Sequence, residues 1–131
     1  MILLDTHIAV WLARDPAQLT AGERKLMAGR DDEIAVSAVS IWEIRIKWHK
    51  RYGWGERKGP LDPHDPLLAL GKSRVTMGPL SQAHAAAALR VPLAHADPFD
   101  ELLLTVAQEM GARLLTRDAA MRGHPLALNA G

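Results

Sequence analysis

Four acidic residues of this chain, Asp5, Glu43, Asp100 and Asp118, stand where a chain of alternating strands and helices would bring carboxylates together. Asp5 ends the apolar run Met1-Ile2-Leu3-Leu4, and Asp118 follows Leu114-Leu115-Thr116. Glu43 falls in the segment after a second apolar run, Ile34-Ala35-Val36, and Asp100 in the first turn of a strong helix signal. Each has an ordinary reading: a helix cap for Asp5, a helix ion pair with Lys47 for Glu43, a first-turn acid favoured by the helix dipole for Asp100, a turn residue for Asp118. Together they read differently, because strand ends in a parallel sheet share one edge. Like charges gathered there repel unless they are protonated or bridged by a cation. Carboxylate oxygens without cysteine or a clear histidine pair suit a hard ion, Mg²⁺ or Mn²⁺. An ion so held activates water and neutralises charge on a phosphodiester.

The elements that must position these acids are legible in the hydrophobic pattern. Unbroken apolar runs at 1–4, 34–36 and 114–115 read as strands buried on both faces. A helix is expected after Asp5. Another is expected from Thr20 to Gly29, opened by a Thr-x-x-Glu capping box. Residues 40–50 alternate like a strand, yet Ile41, Ile44 and Trp48 share a helical face and Glu43 pairs in register with Lys47. The strand–helix rhythm decides for a helix, with Ser37 or Ser40 as its cap. Short elements are expected at 66–71 (helix), 74–77 (strand), 81–89 (helix) and 126–128 (edge strand). Asp97-Pro98 opens the best helix, with Phe99, Leu102, Leu103, Val106 and Met110 on its core face and Gly111 at its end. On that helix Asp100 stacks over Leu104 and Ala107, leaning inward, whereas Glu101 faces water and Asp97 is the cap. The rhythm predicts one domain over 1–131: α/β, three layers (α/β/α) around a short, mostly parallel central sheet.

Bulk composition excludes several classes. The chain has 131 residues, no cysteine and a net charge of +1, so disulfides, thiolate metal sites and a global electrostatic claim on nucleic acid are all ruled out. The N-terminus lacks the basic region of a signal peptide, no apolar run is long enough to span a membrane, and the absence of cysteine suits the cytoplasm. Charge is unevenly spread. Between Arg45 and Lys58 six basic residues face one acid, a local +5 that leaves −4 on the remainder. This basic arm, loop-like from 52 to 63, interleaves cations with Trp48, Tyr52 and Trp54. Lys47, Lys50, Arg51 and Trp54 are its candidates for RNA, cations meeting phosphates and rings stacking on unpaired bases. The plainer reading is a solvated helix face.

Four blocks carry a resemblance: Leu3-Leu4-Asp5-Thr6-His7; Ser40-Ile41-Trp42-Glu43-Ile44 with Lys47; His95-Ala96-Asp97-Pro98-Phe99-Asp100; and Leu114-Leu115-Thr116-Arg117-Asp118. In this order the sequence resembles the PIN-domain family, specifically the VapC-type toxin ribonucleases of bacterial toxin–antitoxin pairs. The resemblance implies a Mg²⁺-dependent endoribonuclease (Mn²⁺ as substitute) that hydrolyses RNA phosphodiesters with metal-activated water. It implies that Asp5, Glu43, Asp100 and Asp118 hold metal, supported by the Thr6 and Thr116 hydroxyls, with Asp97 behind them. It further implies a VapB-like antitoxin partner and a homodimer. One departure is Glu101, where the family usually has a basic residue. Two rivals predict other behaviour. An acid-site phosphotransfer domain would be phosphorylated on Asp5, although Asp5-Thr6-His7 lacks the second aspartate one such class requires. A non-catalytic RNA- or protein-binding module would show no nuclease activity.

Overall fold

The computed structural model describes residues 1–29, 31–57, 59, 61–95 and 97–130. Lys58 and Pro60 of the expected arm, and Ala96 of the 95–100 block, lie outside the described residues. Five short strands, β1 (Ile2–Leu4), β2 (Ile34–Ser37), β3 (Thr76–Gly78), β4 (Arg113–Leu115) and β5 (Ala127–Leu128), form one sheet in the order β3-β2-β1-β4-β5. Every pairing in it is parallel. The helices are α1 (Thr6–Arg14), α2 (Ala21–Ala28), α3 (Ala38–His49), α4 (His64–Gly71), α5 (Gln82–Ala86) and α6 (Pro98–Met110).

The three layers follow from the alternation of strand side chains. Ile2, Leu4 and Val36 pack on one face with Ile8, Ala9, Met27 and Leu70 from α1, α2 and α4. Leu3, Ala35 and Leu114 pack on the other with Val39, Leu103, Val106 and Ala107 from α3 and α6. Strands apolar at every position are what two covered faces require. β1 sits at the centre, and the chain leaves it first towards β2 and β3, then returns on its other side as β4 and β5. The order reverses between β1 and β4, and open α/β sheets bind ligands outside the carboxyl ends of strands at such a reversal. Asp5 follows β1 there, and Thr116 to Asp118 follow β4.

Local chemistry explains the helix boundaries. Thr20 and Glu23 form the capping box of α2, Ser37 caps α3, and Asp97 with Pro98 opens α6. Gly111, at φ 66°, takes the left-handed conformation that ends α6. Several boundaries differ from expectation. α4 begins at His64 rather than 66, and β3 occupies 76–78 rather than 74–77. α5 stops at Ala86 rather than 89, because Ala87 turns to extended backbone ahead of Pro92. The buried stripe of α3 is Val39, Ser40, Glu43 and Ile44, rotated from the Ile41–Trp48 face. On α6, Leu104, Thr105, Ala107 and Gln108 are buried, while Phe99, Leu102 and Met110 are only partly covered. Among the described residues no helix is long and apolar enough to cross a membrane.

Candidate metal centre at the carboxyl edge of the sheet

Asp5 is positioned by both strands of the reversal. Its backbone N–H donates to the Leu115 carbonyl at 2.9 Å, extending the β1–β4 ladder by one residue. Its Oδ1 accepts the Thr6 N–H at 2.8 Å, capping α1, and its Oδ2 accepts the Thr116 hydroxyl at 2.7 Å. The cap reading of Asp5 is therefore correct as far as it goes, but it uses one oxygen. The Thr116 Oγ1 in turn accepts the Asp118 N–H at 3.0 Å, and Asp118 Oδ1 accepts the Ala120 N–H at 2.9 Å. One hydroxyl thus ties the acid after β1 to the turn after β4.

Glu43 reaches the same rim from α3. Its Oε1 accepts the Thr6 hydroxyl at 2.8 Å and its Oε2 accepts Lys47 Nζ at 2.7 Å, while Ser40 Oγ lies 3.0 Å from Thr6 Oγ1. Glu43 is buried and Lys47 is half-exposed. Asp100, in the first turn of α6, has Oδ2 2.9 Å from His95 Nε2 and its backbone N–H on Asp97 Oδ1 at 3.2 Å. Asp97 itself is exposed and caps α6, accepting the Phe99 N–H at 2.9 Å. Glu101 faces solvent, as its position on the helix dictates.

Electrostatics mark these acids as one group. Burial pushes the Asp5 carboxyl above its ordinary range, its bonds to Thr116 and Thr6 act against that, and the Glu43 charge adds to it. Asp100 is pushed up to about 6, first by burial, then by the charges of Asp97, Asp5 and Asp118, with the His95 bond opposing. His95 is raised in return, chiefly by its bond to Asp100. Asp5 and Asp100 thus each feel the charge of other acids of the rim.

These shifts fix the sign of a pH effect. In the folded chain Asp100 keeps its proton up to about 6, against 3.8 in ordinary surroundings, so folding takes up a proton between those values. Stability falls as pH rises through that window. His95 acts in the same sense: its contribution is present below 6.5 and lost as pH climbs through its raised folded value. Ion-free protein is expected to melt at higher temperature at about pH 5 than at about pH 7.5. Asp100→Asn should flatten that dependence; an equal slope in thermal melts of both proteins would contradict the assignment.

The donor set suits a hard divalent ion in kind: four carboxylates, with hydroxyls behind two of them. Among the described residues, however, no three His, Cys, Asp or Glu side chains are grouped closely enough to hold one ion directly. Lys47 occupies one oxygen of Glu43, and His95 lies against one oxygen of Asp100. Mg²⁺ keeps several waters and takes one or two carboxylates directly, so acids spread around a rim are compatible with it.

The helix ion pair of Glu43 with Lys47 stands as the spacing suggests, whereas the contacts of His95 with Asp100 and of Ser40 with Thr6 were not read from sequence. Lys47 was an RNA candidate, and the structure spends it on Glu43. The i, i+4 spacing of Glu43 and Lys47 was the signal. For His95 the signal was its place five residues ahead of Asp100, across the helix start. Lys50, Arg51 and Trp54 are exposed on the arm. An apolar depression of about 570 Å³ lies on the far side of α3, lined by Ile41, Trp42, Leu67 and Met77, and shares no residue with the acids. Arg117, between Thr116 and Asp118, donates from Nε to Glu23 Oε2 at 2.7 Å and from Nη2 to the Gln18 carbonyl at 2.7 Å, pinning the β4 turn to α2.

A parallel three-layer domain with acids converging at the β1–β4 reversal is a recognisable class. Residues 2–124 match the family model described as PIN domain, and the chain belongs to the PIN-domain family. It is 30% identical over 128 residues to Ribonuclease VapC22 of Mycobacterium tuberculosis (strain ATCC 25618 / H37Rv), a match spanning 94% of this chain and 91% of that protein. Two solved structures share the fold. A toxin–antitoxin complex from Klebsiella pneumoniae matches with TM-score 0.63 and 17% identity, over 100% of this chain and 98% of that one. VapBC2 from Rickettsia felis, bound to a DNA fragment from their promoter, matches with TM-score 0.62 and 17% identity over 100% of both chains.

Proposed function

We propose that the protein is a divalent-metal-dependent endoribonuclease, acting as the toxin of a toxin–antitoxin pair. The observation that carries this reading is the pair of buried hydroxyl bridges, Thr116 to Asp5 and Thr6 to Glu43. Together they hold carboxylates from β1 and α3 at the ligand-binding edge of the sheet. The relative named as a ribonuclease supports the chemistry, and the two toxin–antitoxin assemblies that share the fold support a VapB-like protein partner.

Asp5, Glu43, Asp100 and Asp118 would hold the ion, Mg²⁺ or Mn²⁺. When bound it would supply Lewis acidity to water and to the phosphodiester. The chain's own groups do the rest. Thr116 and the Thr6 N–H fix the Asp5 carboxylate, one bond to each oxygen. Thr6 and Lys47 fix Glu43 from two sides, so that it orients a water without swinging. His95 holds a proton against Asp100 and can yield it as charge accumulates on the leaving oxygen. Asp97 acts through the helix start that sets Asp100. The site is assigned to RNA in the cytoplasm, with the protein working as a homodimer.

The test is incubation of purified, antitoxin-free protein with total RNA, followed by mapping of the cleaved ends. Discrete internal cuts with Mg²⁺ or Mn²⁺ are expected, and none with excess chelator. Intact RNA under all conditions, or phosphoryl labelling of Asp5, would refute the reading.

A further inference from the structure

We infer that Tyr52 and Trp54 form a preassembled stacking platform for an unpaired base of the RNA, beside the cut rather than at it; this rests on the ribonuclease reading above. The two rings lie parallel, 3° apart in tilt and 4.4 Å between centroids, and Trp54 is 73% exposed. An exposed tryptophan resting on a second aromatic is a surface left open for a third ring, and base–aromatic stacking is tolerant of sequence.

The arm holds this pair outward by its own bonds. Arg51 and Arg57 bridge antiparallel, Tyr52 N–H donates to the Glu56 carbonyl at 2.8 Å, and Gly55 N–H to the Tyr52 carbonyl at 2.9 Å. Arg51 Nη1 reaches the Gly55 carbonyl at 2.8 Å. The Trp54 indole N–H is spent on Glu56 Oε2 at 2.9 Å, so the ring offers a face and not a donor. A platform ordered in advance loses little entropy when a base lands on it.

The arm is also fastened to the helix that carries Glu43. The Arg57 guanidinium lies 4.5 Å from the Trp48 ring centroid and donates to the Trp48 carbonyl at 3.0 Å. Gly59 meets α3 so closely that a Cβ there would stand 2.5 Å from Trp48 Cα, which only glycine allows. A small cavity of about 150 Å³, lined by Thr6, Trp11, Ile44, Lys47 and Leu61, runs from the partners of Glu43 to the foot of the arm. Charge agrees with a polyanion: Arg45 on α3 and Lys50 and Arg51 at its end, leading into the arm, are exposed.

The test measures binding of a fluorescently labelled, mixed-sequence single-stranded RNA of about 12 nucleotides to protein carrying Asp5→Asn, which prevents cleavage. Adding Trp54→Ala should weaken binding roughly 5- to 100-fold, Trp54→Phe should restore most of it, and RNA duplex of equal length should be affected little. The salt dependence should keep its slope, because no phosphate contact is removed. Unchanged single-strand affinity, or an equal loss for duplex, would overturn the platform. So would loss of binding to a VapB-like partner with single-strand affinity unchanged, which would make the arm a protein contact. If wild-type protein cuts RNA while Trp54→Ala binds it normally, this inference fails and the ribonuclease reading stands; if wild-type protein cuts nothing, the ribonuclease reading itself fails.

Discussion

Asp5→Asn is expected to lower RNA cleavage at least about a hundredfold while leaving the domain folded. The asparagine amide oxygen can still accept the Thr6 N–H that Asp5 accepts at 2.8 Å, so the start of α1 keeps its cap. The lost charge was costly to bury, as the raised proton affinity of Asp5 records, so ion-free Asp5→Asn should melt no lower than wild type. On the proposed site, catalysis would suffer because one charge disappears from the acids that would attract the ion. Glu43→Gln should behave alike, since Lys47 is half-exposed and is solvated once its partner turns neutral. Thr116→Ala removes the hydroxyl that bonds Asp5 and Asp118 and no carboxylate, and should cost less, about 10- to 100-fold. Cleavage rates at saturating Mg²⁺, beside melting curves, separate these outcomes. Equal activity in Asp5→Asn would remove the site.

The largest stability effect belongs to Arg117→Ala. Glu23 is 2% exposed and carries the capping box of α2 as well as the Arg117 contact. Removing Arg117 leaves the buried Glu23 charge without its partner, but the guanidinium is 38% exposed and water can replace part of it, so about 2 kcal/mol is expected. For a domain of this size that lowers the melting temperature by about 6 °C. Arg117 is the first cause holding the Glu23 carboxyl below its ordinary range. The pair's contribution is thus present above about pH 4.5 and lost as pH falls through the lower folded value, so the gap between the two proteins should narrow in acid. Glu23→Gln added to Arg117→Ala should recover part of the loss. A melting temperature within a degree or two of wild type would show the pair to be surface decoration.

How far the molecule can be read from its sequence depends on the range of the interaction. The runs at Ile2–Leu4 and Leu114–Leu115 and the caps at Thr20 and Asp97 are local signals, and strands and helices stand where they point. The inward lean of Asp100 followed from its stacking over Leu104 and Ala107, both buried. Edges were harder. β3 lies on the rim of the sheet with Thr76 exposed and Met77 and Gly78 only half-buried, so little apolar pattern marks it, and α5 ends where Ala87 turns to extended backbone. The bonds that make the site are longest in sequence: Thr116 to Asp5 spans 111 positions and Thr6 to Glu43 spans 37. No periodicity encodes such pairs. The threonines carry a role through family resemblance, and the contacts of Ser40 and His95, both in the matching blocks, are visible only in the geometry.

In the proposed mechanism Asp5, Glu43, Asp100 and Asp118 act as one ligand set. Calorimetric titration of Mn²⁺ into the wild-type protein and into each single amide variant addresses it most directly. At pH near 6, where Asp100 is half protonated, wild-type protein should bind the ion and release protons, and every variant should bind at least about tenfold more weakly. Wild-type affinity in Glu43→Gln or Asp100→Asn, together with RNA cleavage that persists in excess chelator, would contradict it.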